Sequence, residues 1–395
     1  MNERSALVIA FWVFLGNGLV AQLAPGFVPE EARDMAALCT VHTFQDLYGS
    51  DEAMVPAGYV RTYSSMPTAL DNKFEVFRKG ATAVLEIRGS TANMMSWMVN
   101  VYSAMIPASG TIQVNGKDFR YHFADDTSAA VHSGYVLGLC TMLDEVVEQL
   151  YELDADGIED VIITGHSQGG ALAHLMRAYL EHAPKGTVPK KMNFKTYSFA
   201  GPMVGDKAFA KEYEKKFCTR LTSYSIINPK DPFPGMPVSY EEGNAFSMGN
   251  MMSLLFGGDV KAKAMGSLMN LFSGSLVGIA QSTGRSVEKR IEGALGEVIM
   301  PPFRPEVNYH PMAERIELEP FDYPLILKDS TILQNDSIMR VEQRDADGVF
   351  LNKDLYKKAP GTFHHKPYNY YVAILKRWFP LAYEELEVKI LPENL

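Results

Sequence analysis

The apolar positions of this chain follow two different periods, and they alternate along its length. Thr82-Ala83-Val84-Leu85-Glu86-Ile87 and Val161-Ile162-Ile163 are short, β-branched and almost unbroken by polar residues. That texture predicts strands covered on both faces. Lys195 to Ala200 and Thr222 to Ile227 read the same way. Between the strands the period lengthens. Pro29-Glu30-Glu31 opens a helix, with proline in the first turn and acids at its positive end, and apolar residues continue through Leu47. A turn and then a helix are predicted over 91–100. A hairpin region leads to Ala130–Tyr135, followed by one long helix to about Leu153, apolar at Leu139, Met142, Val146, Val147 and Leu150. Another helix runs from Ala171 to near Pro184, and a last one carries Leu375 and Trp378. Strands alternating with helices predict an α/β fold with a largely parallel sheet flanked by helices.

One stretch departs from this rhythm. From about 238 to 305 the chain is Met-rich and Gly-interrupted, with a more polar helical piece from Ser286 to Val298. It reads as a helical insertion before the C-terminal part, serving either as a lid over the site or as a packed cap. The N-terminus differs too. Arg4 precedes the apolar run Ala6–Leu15, which is followed by Gly16-Asn17-Gly18. A run that short suits the core of an export signal over residues 1–21 better than a membrane span. Residues 22–395 would then form one α/β domain, secreted or periplasmic.

Composition narrows the function classes. Of 395 residues, 47% are hydrophobic and 21% charged, enough for a sizeable core. A net charge of -10 argues against a nucleic-acid partner. The three cysteines, Cys39, Cys140 and Cys218, are too few and too scattered for a disulfide framework or a zinc site, and are expected as free thiols. Asp154-Ala155-Asp156-Gly157 and Asp345-Ala346-Asp347-Gly348 lack the remaining ligands of a calcium loop and are read as turns. The sequence leaves the oligomeric state open.

Gly165-His166-Ser167-Gln168-Gly169 joins a predicted strand to a predicted helix. Glycine, serine and glycine at that spacing form the nucleophile elbow, a tight turn that lifts a serine hydroxyl above the sheet edge. A phosphate-binding turn would need a different glycine spacing and a lysine, and has neither here. Ser90 and Asp231 also follow predicted strands, where the reactive groups of a parallel sheet gather. Asp231 could otherwise cap a turn before proline. His132 and His166 are expected to be structural.

Lined up in order, these segments resemble the class 3 lipases, the α/β-hydrolase family that includes fungal triacylglycerol lipases. The resemblance rests on Arg88-Gly89-Ser90 with Trp97 and Asn100, Val131-His132-Ser133-Gly134-Tyr135, Gly165 to Gly170, Ala200 to Asp206, and Asn228 to Pro234. Phe233 stands where valine is usual, and the insertion is longer than the family's pattern. The resemblance implies a serine ester hydrolase with no cofactor and no metal, acting on lipid or other acyl esters and touching a lipid interface. Ser167 would be the nucleophile, Asp231 the orienting acid, and the backbone N–H groups of Ser90 and Gln168 the oxyanion hole. Tyr309-His310 matches a segment whose histidine is structural. The base is then His365, just before an aromatic-rich helix, with His364 its rival. Related readings stay open: a phospholipase or thioesterase on the same fold, or a catalytically silent scaffold that binds lipid or protein.

Overall fold

The computed structural model describes residues 23–48, 54–91, 93–237, 287–312, 315–359 and 362–390. The expected export signal and the greater part of the insertion, 238–286, lie outside the described residues. The strands are β1 (Val60–Ser64), β2 (Phe74–Lys79), β3 (Thr82–Ile87), β4 (Met105–Pro107), β5 (Ser109–Val114), β6 (Lys117–His122), β7 (Ala130–His132), β8 (Asp160–His166), β9 (Asn193–Phe199), β10 (Ser223–Ile227), β11 (Val298–Ile299) and β12 (Arg315–Glu317). Seven of them form the main sheet in the order β1-β2-β3-β8-β9-β10-β12. The first two pairings are antiparallel and the remaining four are parallel. The predicted α/β fold, an α/β-hydrolase arrangement with a largely parallel sheet, is therefore borne out.

The near-continuous apolar strands behave as their composition requires. Successive side chains point to opposite faces, and both faces are covered. Ala83, Leu85, Val161 and Ile163 enter the core shared with α3 (Ser133–Cys140), α4 (Leu143–Ala155) and α5 (Gln168–His182). Val84 and Ile162 enter the opposite core, built with α1 (Pro29–Tyr48) and the C-terminal helix Pro367–Trp378. Burial of each of the valine, leucine and isoleucine side chains among them stabilises the fold by about 1.5–3 kcal/mol. The second core fixes the place of the C-terminal helix, and hence of the residues that precede it.

The long helix expected up to Leu153 is two helices. Thr141 caps α3, with its N–H donating to Leu137 O and its hydroxyl to Gly138 O at 2.7 Å, and Met142 N–H turns back to Leu139 O. A threonine whose hydroxyl competes for a helix carbonyl marks the break. The end of the insertion is described: a helix over 287–295 leads to β11, which pairs antiparallel with β5. At the chain's two Asp-x-Asp-Gly sequences there are turns, with Gly157 and Gly348 at positive φ. The three cysteines are free thiols.

Candidate active site

The elbow is a strained turn held by packing. Ser167 has φ 57° and ψ −125°, a conformation costly for any residue with a side chain. Its N–H donates to Phe199 O at 2.9 Å, tying the turn to the neighbouring strand. Glycine is required next to it: a Cβ on Gly169 would lie 1.9 Å from Ile87 O at the end of β3. The same closeness brings the following segment alongside. A Cβ on Gly89 would meet His166 O at 2.7 Å and Ser167 Cβ at 3.6 Å. Ser90 is thereby set beside the serine, on the loop that leaves β3.

Asp231 stands on the loop that leaves β10. Asn228 Oδ1 accepts from Lys230 N–H at 2.9 Å, and Asp231 N–H donates to Asn228 O at 2.9 Å. This turn, stiffened by Pro229, Pro232 and Pro234, points the carboxylate inward. Its side chain is wholly buried. Asp231 Oδ1 accepts from Phe233 N–H at 2.9 Å, and Oδ2 accepts from the Tyr370 hydroxyl at 2.7 Å and from His365 Nδ1 at 2.8 Å.

A carboxylate only accepts, so Nδ1 of His365 carries the proton and Nε2 offers a lone pair. That lone pair faces Ser167 Oγ at 2.8 Å. The structure therefore brings Ser167, Asp231 and His365 into one hydrogen-bonded line. His365 sits in the short turn Phe363–His365, immediately before the C-terminal helix, and the Phe233 ring stacks on its imidazole at 3.6 Å between centroids. His364, its rival, edges the Phe363 ring, and its pKa is lowered by burial and then by the Lys230 ammonium. His310 lies on another segment, its backbone N–H donating to Gly205 O at 2.9 Å.

The two other predicted site residues are held by their own networks. Ser90 Oγ accepts from Asn100 Nδ2 at 2.8 Å, and Asn100 Oδ1 accepts from the Tyr135 hydroxyl at 3.2 Å. Gln168 opens α5, so its backbone N–H has no carbonyl four residues back within the helix. Its side-chain amide is fully engaged in the other direction, donating to Ser96 O at 3.0 Å. That bond fastens α2 (Met94–Val101), capped by Asn93, to the start of α5. Arg88 pairs with Asp71 at 3.1 Å and fixes the base of the Ser90 loop. Both donors' amides stand on segments that close packing keeps in place, as an oxyanion hole requires.

Two further residues complete the site, with roles that the sequence does not assign. Tyr370, in the aromatic-rich helix that follows His365, bridges Asn228 N–H (3.1 Å) and Asp231 through its hydroxyl. Burial, and then the Asp231 charge, push its pKa well up, so it remains a donor. Phe233 supplies both an N–H and a ring. The signal for each was an aromatic close in sequence to the assigned acid or base, Phe233 after Asp231 and Tyr370 in the helix after His365.

His132 is structural as expected, whereas the His166 ring packs against the His365 ring at 4.8 Å between centroids, its Nε2 buried with no hydrogen-bond partner among the described residues. His132 accepts from Tyr135 N–H through Nδ1 and contacts Asn100 O through Nε2. Burial lowers its pKa to about 3, does the same for His174, and pushes His166 well below the ordinary value. The sign of the pH effect follows. Below the unfolded value of about 6.5 the unfolded chain takes up protons that these buried rings refuse, so stability is full above that pH and is lost as pH falls towards 3. Each ring contributes at most about 1.4 kcal/mol per pH unit. Urea unfolding between pH 6.5 and 5 should show stability falling with acid, with a shallower slope in His174→Gln. A pH-independent midpoint would contradict these buried neutral rings.

Residues 84–241 match the family described as lipase (class 3). A chloroplastic phospholipase A(1) of Arabidopsis thaliana is 29% identical over 178 residues, covering 42% of this chain and 36% of that protein. The chain thus spans little more than a third of the length of this curated relative. Among solved structures, lipase II from Rhizopus niveus aligns at 21% identity and a TM-score of 0.41, over 53% of this chain and 75% of that one. The native propeptide complex of Rhizomucor miehei lipase aligns at 18% identity and 0.37, over 53% and 62%.

Proposed function

The chain belongs to the class 3 lipase family, and from that premise we propose that it is a serine carboxylester hydrolase cleaving acyl esters of lipids through an acyl-enzyme. The observation that carries the reading is the pair of 2.8 Å hydrogen bonds that His365 makes to Ser167 and Asp231. A serine hydroxyl attacks a carbonyl once an imidazole takes its proton in the transition state. In this reading His365 Nε2 accepts that proton and returns it to the departing alkoxide. Asp231 holds the tautomer and stabilises the imidazolium. The amides of Ser90 and Gln168 receive the oxyanion, each worth about 3 kcal/mol of transition-state stabilisation. Water then repeats the sequence on the acyl-enzyme.

Triacylglycerols and related neutral lipids are the substrates of the first reading. The Arabidopsis relative's name favours a second one on the same site, a phospholipase removing an acyl chain from a phospholipid. Release of fatty acid from trioleoylglycerol or from phosphatidylcholine, measured side by side, separates the two. Export directed by residues 1–21 belongs to the same proposal and is tested by N-terminal sequencing of protein recovered outside the cell. The chemistry itself is tested by labelling with a fluorophosphonate and mapping the peptide. Modification at Ser167 is expected, and an unlabelled protein would favour a silent scaffold.

A further inference from the structure

The far end of α5, fifteen residues from the elbow, carries a cluster that plays no part in ester cleavage. His182 closes the helix, and its Nδ1 meets Ala178 O at 2.7 Å. A carbonyl only accepts, so Nδ1 is protonated and the lone pair is on Nε2. That lone pair faces the end of β6 and α6 (Lys207–Tyr213). Converging there are His122, Asp125 and Glu212, and the ligand atoms of His122, Asp125 and His182 lie within 4.8 Å of one another. The two imidazole rings stack with centroids 5.1 Å apart.

A cation already stands at this focus. The Lys216 ammonium lies 2.5 Å from His182 Nε2, 2.6 Å from an Asp125 oxygen and 2.9 Å from a Glu212 oxygen. Glu212 is anchored from behind, accepting from the N–H groups of Asp125 and Asp126 at 2.8 Å each. An imidazole lone pair aimed at a cation between two carboxylates is the donor set of a borderline metal ion.

We propose that His122, Asp125 and His182 form a binding site for a divalent transition metal of the zinc class, and that Lys216 is its built-in competitor. Zinc bonds of about 2.0–2.2 Å require the three ligand atoms to close to about 3.4 Å from one another. His122 and Asp125, hydrogen-bonded to each other through Nε2 and Oδ1 at 3.0 Å, are 45% and 67% exposed, and the metal takes the place of the Nε2 proton in that pair, which goes to solvent; His182, its side chain 7% exposed, keeps its place. Lys216, on the outer face of 214–218, swings out as the metal enters. Glu212 remains as a nearby negative charge or a fourth ligand. Two imidazoles select zinc, nickel or copper over magnesium and calcium, which take oxygen donors. The bound ion would join the end of β6, the end of α5 and α6, and so would act on stability, not on the ester-cleaving site about 20 Å along the helix.

Isothermal titration of the full chain with zinc chloride, and with magnesium chloride as a control, tests this. One zinc per chain is expected, with no magnesium binding. His122→Asn, at an exposed position that folding tolerates, should weaken zinc at least tenfold. Lys216→Met should tighten it at least tenfold, because the competing charge is gone and two carboxylates are left facing the site. Both variants should hydrolyse ester at the parent's rate. Zinc affinity unchanged by His122→Asn, or not tightened by Lys216→Met, would overturn the proposal.

Discussion

Ser167→Ala is expected to lower ester turnover by about 10⁴- to 10⁶-fold while leaving the fold in place. The rate loss follows from the chemistry: with Oγ gone, no group at the elbow can form the acyl-enzyme, and water must attack directly. A residual acceleration should survive, because the amides of Ser90 and Gln168 would still meet a developing oxyanion. The fold should hold because the substitution deletes one half-buried oxygen whose partner is His365. Ser167 N–H, which ties the elbow to Phe199 O, is a backbone group and is kept. The positive φ is no worse for alanine than for serine. Hydrolysis of a soluble p-nitrophenyl ester, followed together with a thermal unfolding curve, checks both halves. Turnover within tenfold of the parent, in a variant that unfolds at the parent's temperature, would remove Ser167 from the mechanism.

Much of this site could be read from sequence because each part of it is local. The elbow is five consecutive residues whose strain and close approach demand glycine on either side of the serine. The loop carrying Ser90 and the one carrying Asp231 each begin where an apolar strand stops. The boundaries of β3, β8, β9 and β10 were placed to within three residues for the same reason, the largest miss being at the end of β8, where Thr164 and His166 are polar but still buried. His365 was harder. Adjacent histidines in a short turn point in different directions, and which one faces Ser167 depends on how the helix Pro367–Trp378 packs on α1 and the sheet. That packing is a property of two elements more than 300 residues apart in sequence. Tyr370 was illegible for the same reason, since its role exists only once that helix is docked against the Asp231 loop. The split between α3 and α4 turned on one threonine hydroxyl bonding to Gly138 O, a local competition that apolar periodicity does not register. The lysine-filled histidine and carboxylate cluster at the end of α5 was invisible because its members come from three separate elements.

Asp231→Asn is the second large effect, expected to lower kcat by about 10³- to 10⁴-fold with folding retained. The carboxylate accepts through both of its oxygens: one takes Phe233 N–H, and the other takes both the Tyr370 hydroxyl and His365 Nδ1. An amide of the same shape cannot do this. If its oxygen keeps Phe233, its NH₂ faces His365 and drives the imidazole into the other tautomer, which presents a proton to Ser167 instead of a lone pair. It also leaves the Tyr370 hydroxyl proton without an acceptor. If the amide turns over, the tautomer is kept, but NH₂ opposes Phe233 N–H inside a buried turn. Either way the negative charge that stabilises the imidazolium is lost. Tyr370→Phe provides the contrast. It removes one donor to Oδ2 and leaves Asn228 N–H unsatisfied, a cost of about 1–3 kcal/mol, but it keeps the charge and the tautomer, so about a tenfold loss is expected. Steady-state kinetics of the two variants on one ester should therefore differ by at least about a hundredfold. Equal losses would mean that Asp231 serves only to hold its loop, and that charge and tautomer control come from elsewhere.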